Sequence, residues 1–273
     1  MRIALIGDVN GRAGRQIMKT CLPGLIAGRR IDFTVANVEN AADGFGITPD
    51  LAEQLLSSGL DCLTSGNHIW DKSEILEYLP GQPRLLRPLN YPPGAPGAGV
   101  YHGESPAGIR VAVVNLMGRV FMPPCDNPFA VIDARLPEIR GRARVILVDM
   151  HAEATSEKSA MGWYLDGRVT AVVGTHTHVQ TADETILPGG TAYISDLGMT
   201  GPYESVIGIE KDLALRKFLT GLPVRFSIAK RDARLCGVVL DVDEETGRAR
   251  SIERFQIRPP DADAARRGDA HPV

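Results

Sequence analysis

An α/β fold is what this chain of 273 residues predicts, and three observations predict it. Short apolar runs, too brief for helices, alternate with helical segments along most of the length. No linker-like break interrupts the alternation, which favours one layered domain over residues 1–258, followed by a disordered tail at 259–273. Finally, side chains of metal-ligand type end one apolar run after another. Asp8 ends IALIGD, Glu39 and Asn40 end FTVANVEN, Asn67 ends CLTSGN, His151 ends VILVDMH, and His176 and His178 close TAVVGTHTH. In open α/β sheets the loops at strand C-termini escape the ladder and converge on one crevice.

Each element has its own warrant. Residues 2–8 read as a strand buried on both faces. A helix follows over 11–30, which Pro23 and Gly24 should break or bend near Leu22. After a strand at 33–38, Thr48-Pro49 opens a helix through Ser58, with a threonine cap, proline at the first helical position and Gly59 as the stop. A short strand begins at 62–64, and Asp71 with Glu74 three residues on predicts a capping box for a helix to Leu79. Six prolines between 80 and 99 predict a surface connection. Strands then follow at 99–103 and 111–116, a helix near 130–139, strands at 145–149 and 169–173 around a helical stretch at 159–165, and a strand at 192–195. A helix over 211–219 precedes three strands at 224–229, 235–242 and 251–257, with Glu245-Thr246-Gly247 turning between the last two. The segment Met199-Gly201-Pro202 reads as a plain loop or as a border of the pocket.

Composition narrows the function classes. A hydrophobic content of 44% supports a sizeable core, and a net charge of −3 spread along the chain leaves no basic footprint for a long nucleic acid. The four cysteines show no CxxC spacing and read as thiols of a reducing compartment. The first apolar run, Ile3 to Ile6, is too short for a secretory leader, and no stretch approaches a membrane span, so the expected location is cytoplasmic. The terminal β segments offer an edge for self-association, and so for a homo-oligomer.

Taken singly, these residues are ordinary. An aspartate or asparagine after a strand is commonly a cap or turn former, and a lone buried histidine is commonly a core residue. His176-x-His178 is sharper, because i and i+2 side chains of an extended segment face the same side. Together, four of six histidines stand at strand ends beside Asp, Glu and Asn, the pattern of a two-metal hydrolytic site. Two divalent ions would bring four positive charges against two from Asp8 and Glu39, leaving a positive site suited to an anionic phosphoester. Glu39, an anion with two oxygens, is the best bridge between them. Oxygen and nitrogen ligation without thiolate suits manganese or iron, with zinc or magnesium as alternatives.

The motif set resembles the calcineurin-like metallophosphoesterases, whose usual signature runs DxH, GDxx, GNH[DE], H and GHxH. The corresponding stretches are Gly7-Asp8-Val9-Asn10, Asn37-Val38-Glu39-Asn40, Gly66-Asn67-His68, His151 and Gly174-Thr175-His176-Thr177-His178. Asn10 stands where that family has histidine, Glu39 where it has the bridging aspartate, and Thr175 is inserted before the HxH. These departures, with NVEN, SGNHIWD, GTHTHVQTAD and SDLGMTGP, are similar to the YmdB-type branch of 2′,3′-cyclic-nucleotide 2′-phosphodiesterases. The resemblance implies a four-layer α/β sandwich of two packed sheets flanked by helices, and a di-iron or manganese site. It also implies one metal on Asp8, Glu39, Asn40 and His178, and a second on Glu39, Asn67, His151 and His176. Asn40 would replace the ligand lost at Asn10, and His68 would act as general acid, its alternative role being to orient Asn67 or Asp71. The implied substrate is a small phosphodiester. A phosphomonoesterase or nuclease on the same metals, and a silent metal-binding module, are the competing readings.

Overall fold

Alternate residues of each strand go to different cores, and this parity builds the layers. The computed structural model describes residues 1–259. The expected tail lies outside them apart from Pro259. One sheet contains β1 (Arg2–Ile6), β2 (Asp8–Val9), β3 (Phe33–Asn37), β4 (Cys62–Thr64), β11 (Met199–Pro202), β12 (Ala233–Val242) and β13 (Ala249–Ile257). The other runs β5 (Val100–Glu104), β6 (Arg110–Met117), β7 (Val145–His151), β8 (Ala171–Thr175), β10 (Ala192–Ile194) and β9 (Thr185–Ile186). Ile3, Leu5 and Val35 from the first sheet meet Val111, Val113, Leu147 and Val173 from the second in one shared core. The opposite parity, Ala4, Ile6 and Ala36, packs on α1 (Gly11–Arg29) and α2 (Pro49–Ser57). Across the molecule Val114, Ile146 and Val148 pack on α4 (Pro128–Arg142) and α5 (Thr155–Leu165). The result is helix, sheet, sheet, helix, as the resemblance implied.

β1, β3 and β4 run parallel, as do β6, β7, β8 and β10, so each sheet presents its C-terminal strand ends at one edge. Several local expectations change. Pro23 does not break α1, because it and Lys19, whose carbonyl it leaves without a helical donor, are both solvent-exposed. The predicted capping box fails. α3 is only Ile75–Tyr78, with no side-chain cap, and Asp71 is taken by His68 instead. The proline-rich connection is not wholly at the surface: Leu85 and Leu86 are fully buried, their strip paired to Leu63 through Leu63 N–Arg84 O (2.7 Å) and Leu86 N–Leu63 O (2.8 Å). Pairing of those backbone groups is what permits the burial. Residues 224–229 form no strand beyond an isolated bridge from Ile228 to Ile209, and α6 (Lys211–Thr220) precedes them as expected. Met199–Pro202, read as loop or pocket border, is a strand parallel to β2.

Candidate metal centre

The first sheet places Asp8, Glu39, Asn40 and Asn67 at the shared edge. Asp8 opens β2, fully buried, and its Oδ2 accepts from the backbone N–H of His176 at 3.2 Å. Glu39 follows β3 and is the hub. Its Oε1 lies 3.1 Å from His151 Nε2, 3.9 Å from His176 Nδ1 and 3.4 Å from Asn40 Nδ2, while Oε2 accepts from His68 N at 3.1 Å. Asn67 starts a 3-10 turn beyond β4 and sets Oδ1 3.1 Å from His151 Nε2. The glycine before it is required sterically, since a Cβ on Gly66 would fall 2.1 Å from the His151 ring and 2.5 Å from Glu39 Oε2.

The second sheet supplies the histidines. His151 ends β7 and is fully buried. His176 and His178 do converge, but not by strand alternation: β8 stops at Thr175, and both histidines have left-handed backbones, φ 99° and 65°. His178 Nε2 comes within 2.9 Å of Asn40 Nδ2, and His176 Nδ1 within 3.1 Å of His151 Nε2. All seven expected ligand residues thus join one contact network. Glu39, His151 and His176 present ligand atoms within 4.8 Å of one another, a possible metal-binding group.

The partners of the histidines reveal which nitrogen is free. His178 Nδ1 donates to the Ile207 carbonyl (2.9 Å), and His176 Nε2 faces Glu153 Oε2 (3.1 Å). His151 Nδ1 meets Thr175 Oγ1 (2.9 Å), whose own hydroxyl donates to Asp149 Oδ1 (2.7 Å). Each outer nitrogen is therefore committed. The inner nitrogens of His151 and His176 remain to carry a proton or to offer a lone pair to a cation, while His178 Nε2 has its lone pair directed inward and accepts from Asn40 Nδ2. Asp8 Oδ1 and Asn10 Oδ1 are buried without a hydrogen-bond partner among the described residues. Burial, with the negative charges of Asp196, Glu39 and Asp149, pushes the Asp8 carboxyl well above the usual range. Glu39 behaves oppositely: its burial is outweighed by the His151 charge, by a hydrogen bond from His151 and by the nearby His176 ring, which hold it well below that range. Burial lowers His178, favouring the neutral ring that a ligand needs. An orphaned buried oxygen beside facing acceptors fits divalent cations.

His68 lies beside this cluster. Its Nδ1 contacts Asp71 Oδ2 at 2.7 Å, and Phe45 stands edge-on to its ring at 5.1 Å. Asn10 is buried and lines the same cavity as Glu39, Asn40 and His178.

Of the supporting residues, Asp71 and Asp196 stand out in the sequence beside the ligand motifs, and the rest were harder to anticipate. Asp149 precedes His151 by two on β7, so strand parity alone would have pointed it at the same crevice. It also receives hydrogen bonds from Thr64 and Asn37. Lys158, from α5, is fully buried against Asp196 (2.8 Å). Asp196 in turn accepts from Thr177 N and Oγ1 and from Gly198 N, pinning the left-handed histidine turn. A buried lysine inside a helix carries no sequence signal for that role. Glu153 had one, as a carboxylate two residues beyond His151.

The cluster opens into a cavity of about 240 Å³ that also includes Phe45, Ile207, Ile209 and Ile228. Known proteins share this architecture. A 2′,3′-cyclic-nucleotide 2′-phosphodiesterase of Bacillus subtilis (strain 168) is 50% identical over 257 residues, covering 94% of this chain and 97% of that protein. The crystal structure of a hypothetical protein from Thermus thermophilus matches with a TM-score of 0.89 at 44% identity, covering 95% of this chain and all of the other. A novel phosphatase of Mycoplasma pneumoniae matches with the same TM-score at 35% identity, covering 94% and 93%. The sequence model of the YmdB-like proteins spans residues 4–255, every expected ligand included, and the chain belongs to that family.

Proposed function

We propose that this protein is a two-metal phosphodiesterase acting on 2′,3′-cyclic nucleotides. The observation that carries the reading is the convergence of Asn67, His151 and His176 ligand atoms on Glu39, with the buried Asp8 oxygen left without a donor among the described residues. Asp8, Glu39, Asn40 and His178 would hold one ion, and Glu39, Asn67, His151 and His176 the other. When bound, the ions supply a water deprotonated at neutral pH and neutralise charge on the phosphoryl oxygens. Oxygen and imidazole donors without thiolate suit iron or manganese, with zinc or magnesium as alternatives. The 50% identical relative bears the name of this activity.

The chain's own part in the chemistry is orientation and proton delivery. Asp71 engages His68 Nδ1, so Nε2 is the nitrogen left to hold a proton for the departing ribose oxygen. Asn40, Thr175, Glu153 and the Ile207 carbonyl lock the histidine rings. Among the described residues no helix is long and apolar enough to cross a membrane.

The test compares leaving groups. A ribose alkoxide needs a proton to depart and a nitrophenolate does not, and general acid catalysis contributes about 10²–10⁴-fold. His68→Ala is expected to keep both metals, to lose kcat/KM of that order on 2′,3′-cyclic nucleotides, and to lose far less on a nitrophenyl phosphodiester. Equal losses would remove the general-acid role, and loss of metal would make His68 a support for Asn67. Wild-type protein that binds two metals yet cleaves only phosphomonoesters or RNA would overturn the substrate assignment.

A further inference from the structure

The lining of the metal cavity is mixed in polarity. Beside Glu39, Asn40, His68, His176 and His178 it carries four apolar side chains, Phe45, Ile207, Ile209 and Ile228. Two of these apolar side chains are conspicuously wet, Phe45 at 43% and Ile207 at 53% exposure. Both also sit on unusual backbone. Phe45 is flanked by left-handed Gly44 (φ 93°) and Gly46 (φ 74°), and a Cβ on Gly44 would strike Ile228 Cδ1 at 2.3 Å. Ile207 itself is left-handed (φ 46°), a conformation that a β-branched residue adopts at a cost. It is held there by the reciprocal Val206–Ile209 hydrogen bonds at the tip of a tight turn.

We propose that Phe45 and Ile207, over a floor of Ile209 and Ile228, seat the base of a single nucleotide whose phosphate lies at the metals. The assignment rests on the phosphodiesterase reading and adds to it the part of the substrate that does not react. Size and charge limit the occupant. About 240 Å³ falls below the range of about 300–1,000 Å³ typical of drug-sized ligand pockets, and it suits one nucleotide better than a strand. No lysine or arginine is among the described residues lining the cavity, and Glu153 is there, so phosphates beyond the first meet no cation. A flat, weakly polar ring matches these apolar lining residues. Stacking of a base on an aromatic side chain is sequence-tolerant, so all four bases should be accepted.

Binding to the metal-loaded protein tests the seat without requiring turnover. Nucleoside 3′-monophosphates and base-less ribose 3-phosphate are titrated by calorimetry, and the readout is the ratio of their dissociation constants. Any general damage to the metal centre or to His68 cancels in that ratio. Wild type is expected to favour the nucleotide by about tenfold to a hundredfold, the scale of one stacked base. Phe45→Ala and Ile207→Ala should each bring the ratio toward one. A wild-type ratio near one, or ratios unchanged in both variants, would overturn the proposal, as would an oligonucleotide binding more tightly than the mononucleotide. Base-dependent binding without any hydrolysis of cyclic nucleotides would sink the phosphodiesterase reading and leave the seat standing.

Discussion

Asp149 and Asp8 are both buried carboxylates at the same crevice, and their surroundings are opposite. Asp149 accepts from Thr64, Thr175 and Asn37, so both of its oxygens are satisfied. Burial raises it, but the nearby His151 charge and these hydrogen bonds pull it back. Asp8 has one backbone donor, a bare Oδ1, and three other carboxylates adding to the cost of its burial. A satisfied buried charge belongs to the architecture. An unsatisfied one is tolerable because something else is meant to meet it.

Removing a partner from a satisfied group should therefore cost most. Lys158→Met leaves the Asp196 charge buried without its counter-ion, with only the Thr177 and Gly198 donors, and the expected loss is about 3–5 kcal/mol. Urea unfolding of metal-free protein measures it. A loss below about 1 kcal/mol would show that the pair is worth no more than a surface salt bridge.

The opposite sign is expected at the unsatisfied group. Asp8→Asn should bind one fewer metal ion yet raise the stability of the metal-free protein at neutral pH, because it removes a carboxyl whose charged form burial and three neighbouring carboxylates disfavour. The pH dependence follows from the raised folded pKa. Asp8 holds its proton more tightly in the native state, so its contribution is complete below the unfolded carboxylate value. That contribution is lost as pH climbs through the higher folded value. Metal-free wild type should lose stability over that climb, and Asp8→Asn should lack this part of the slope. Identical pH profiles for the two proteins would refute the account.

Asn10 gives a smaller and sharper variant of the contrast, since its Oδ1 is orphaned too. Restoring histidine there would give the residue type of the wider metallophosphoesterase pattern. However, a Cβ on Gly208 would already fall 2.3 Å from Asn10 Nδ2, so little room remains. Asn10→His is expected to cost about 1 kcal/mol, at the low end for overpacking, because the adjoining turn at 203–209 is partly exposed. An unchanged melting temperature together with tighter metal binding would show that the ring fits and ligates.

Strand-end chemistry was legible from sequence because buried parallel strands are nearly continuous apolar runs, and the polar residue ending each run is identified without knowing the fold. The convergence of Asp8, Glu39, Asn40, Asn67, His151, His176 and His178 emerged from that alone, independently of any resemblance. The features hidden from sequence reading depend on long-range contacts. Lys158 acts through a residue 38 positions away, and Leu85 is buried by pairing with Leu63 that no local pattern encodes. The His176–His178 turn was expected at the right place for the wrong reason, since alternation requires an extended chain and the backbone there is left-handed. Residues 224–229 carry strand-like composition, yet only Ile228 finds a bridge partner, a tertiary outcome that propensity does not determine.

Ownership of the centre is divided: Asp8, Glu39, Asn40 and Asn67 come from one sheet, and His151, His176 and His178 from the other. Neither half alone can complete the ligand set of either proposed ion. On the proposed ligand set, tight capture of either ion would have to wait until the two sheets have docked, and loading would then be a late event in the maturation of the chain. The ions would serve as a check on assembly, since a molecule with misaligned sheets would stay metal-poor and inactive. Metal scarcity in the cell would be felt as slack between layers as well as lost turnover.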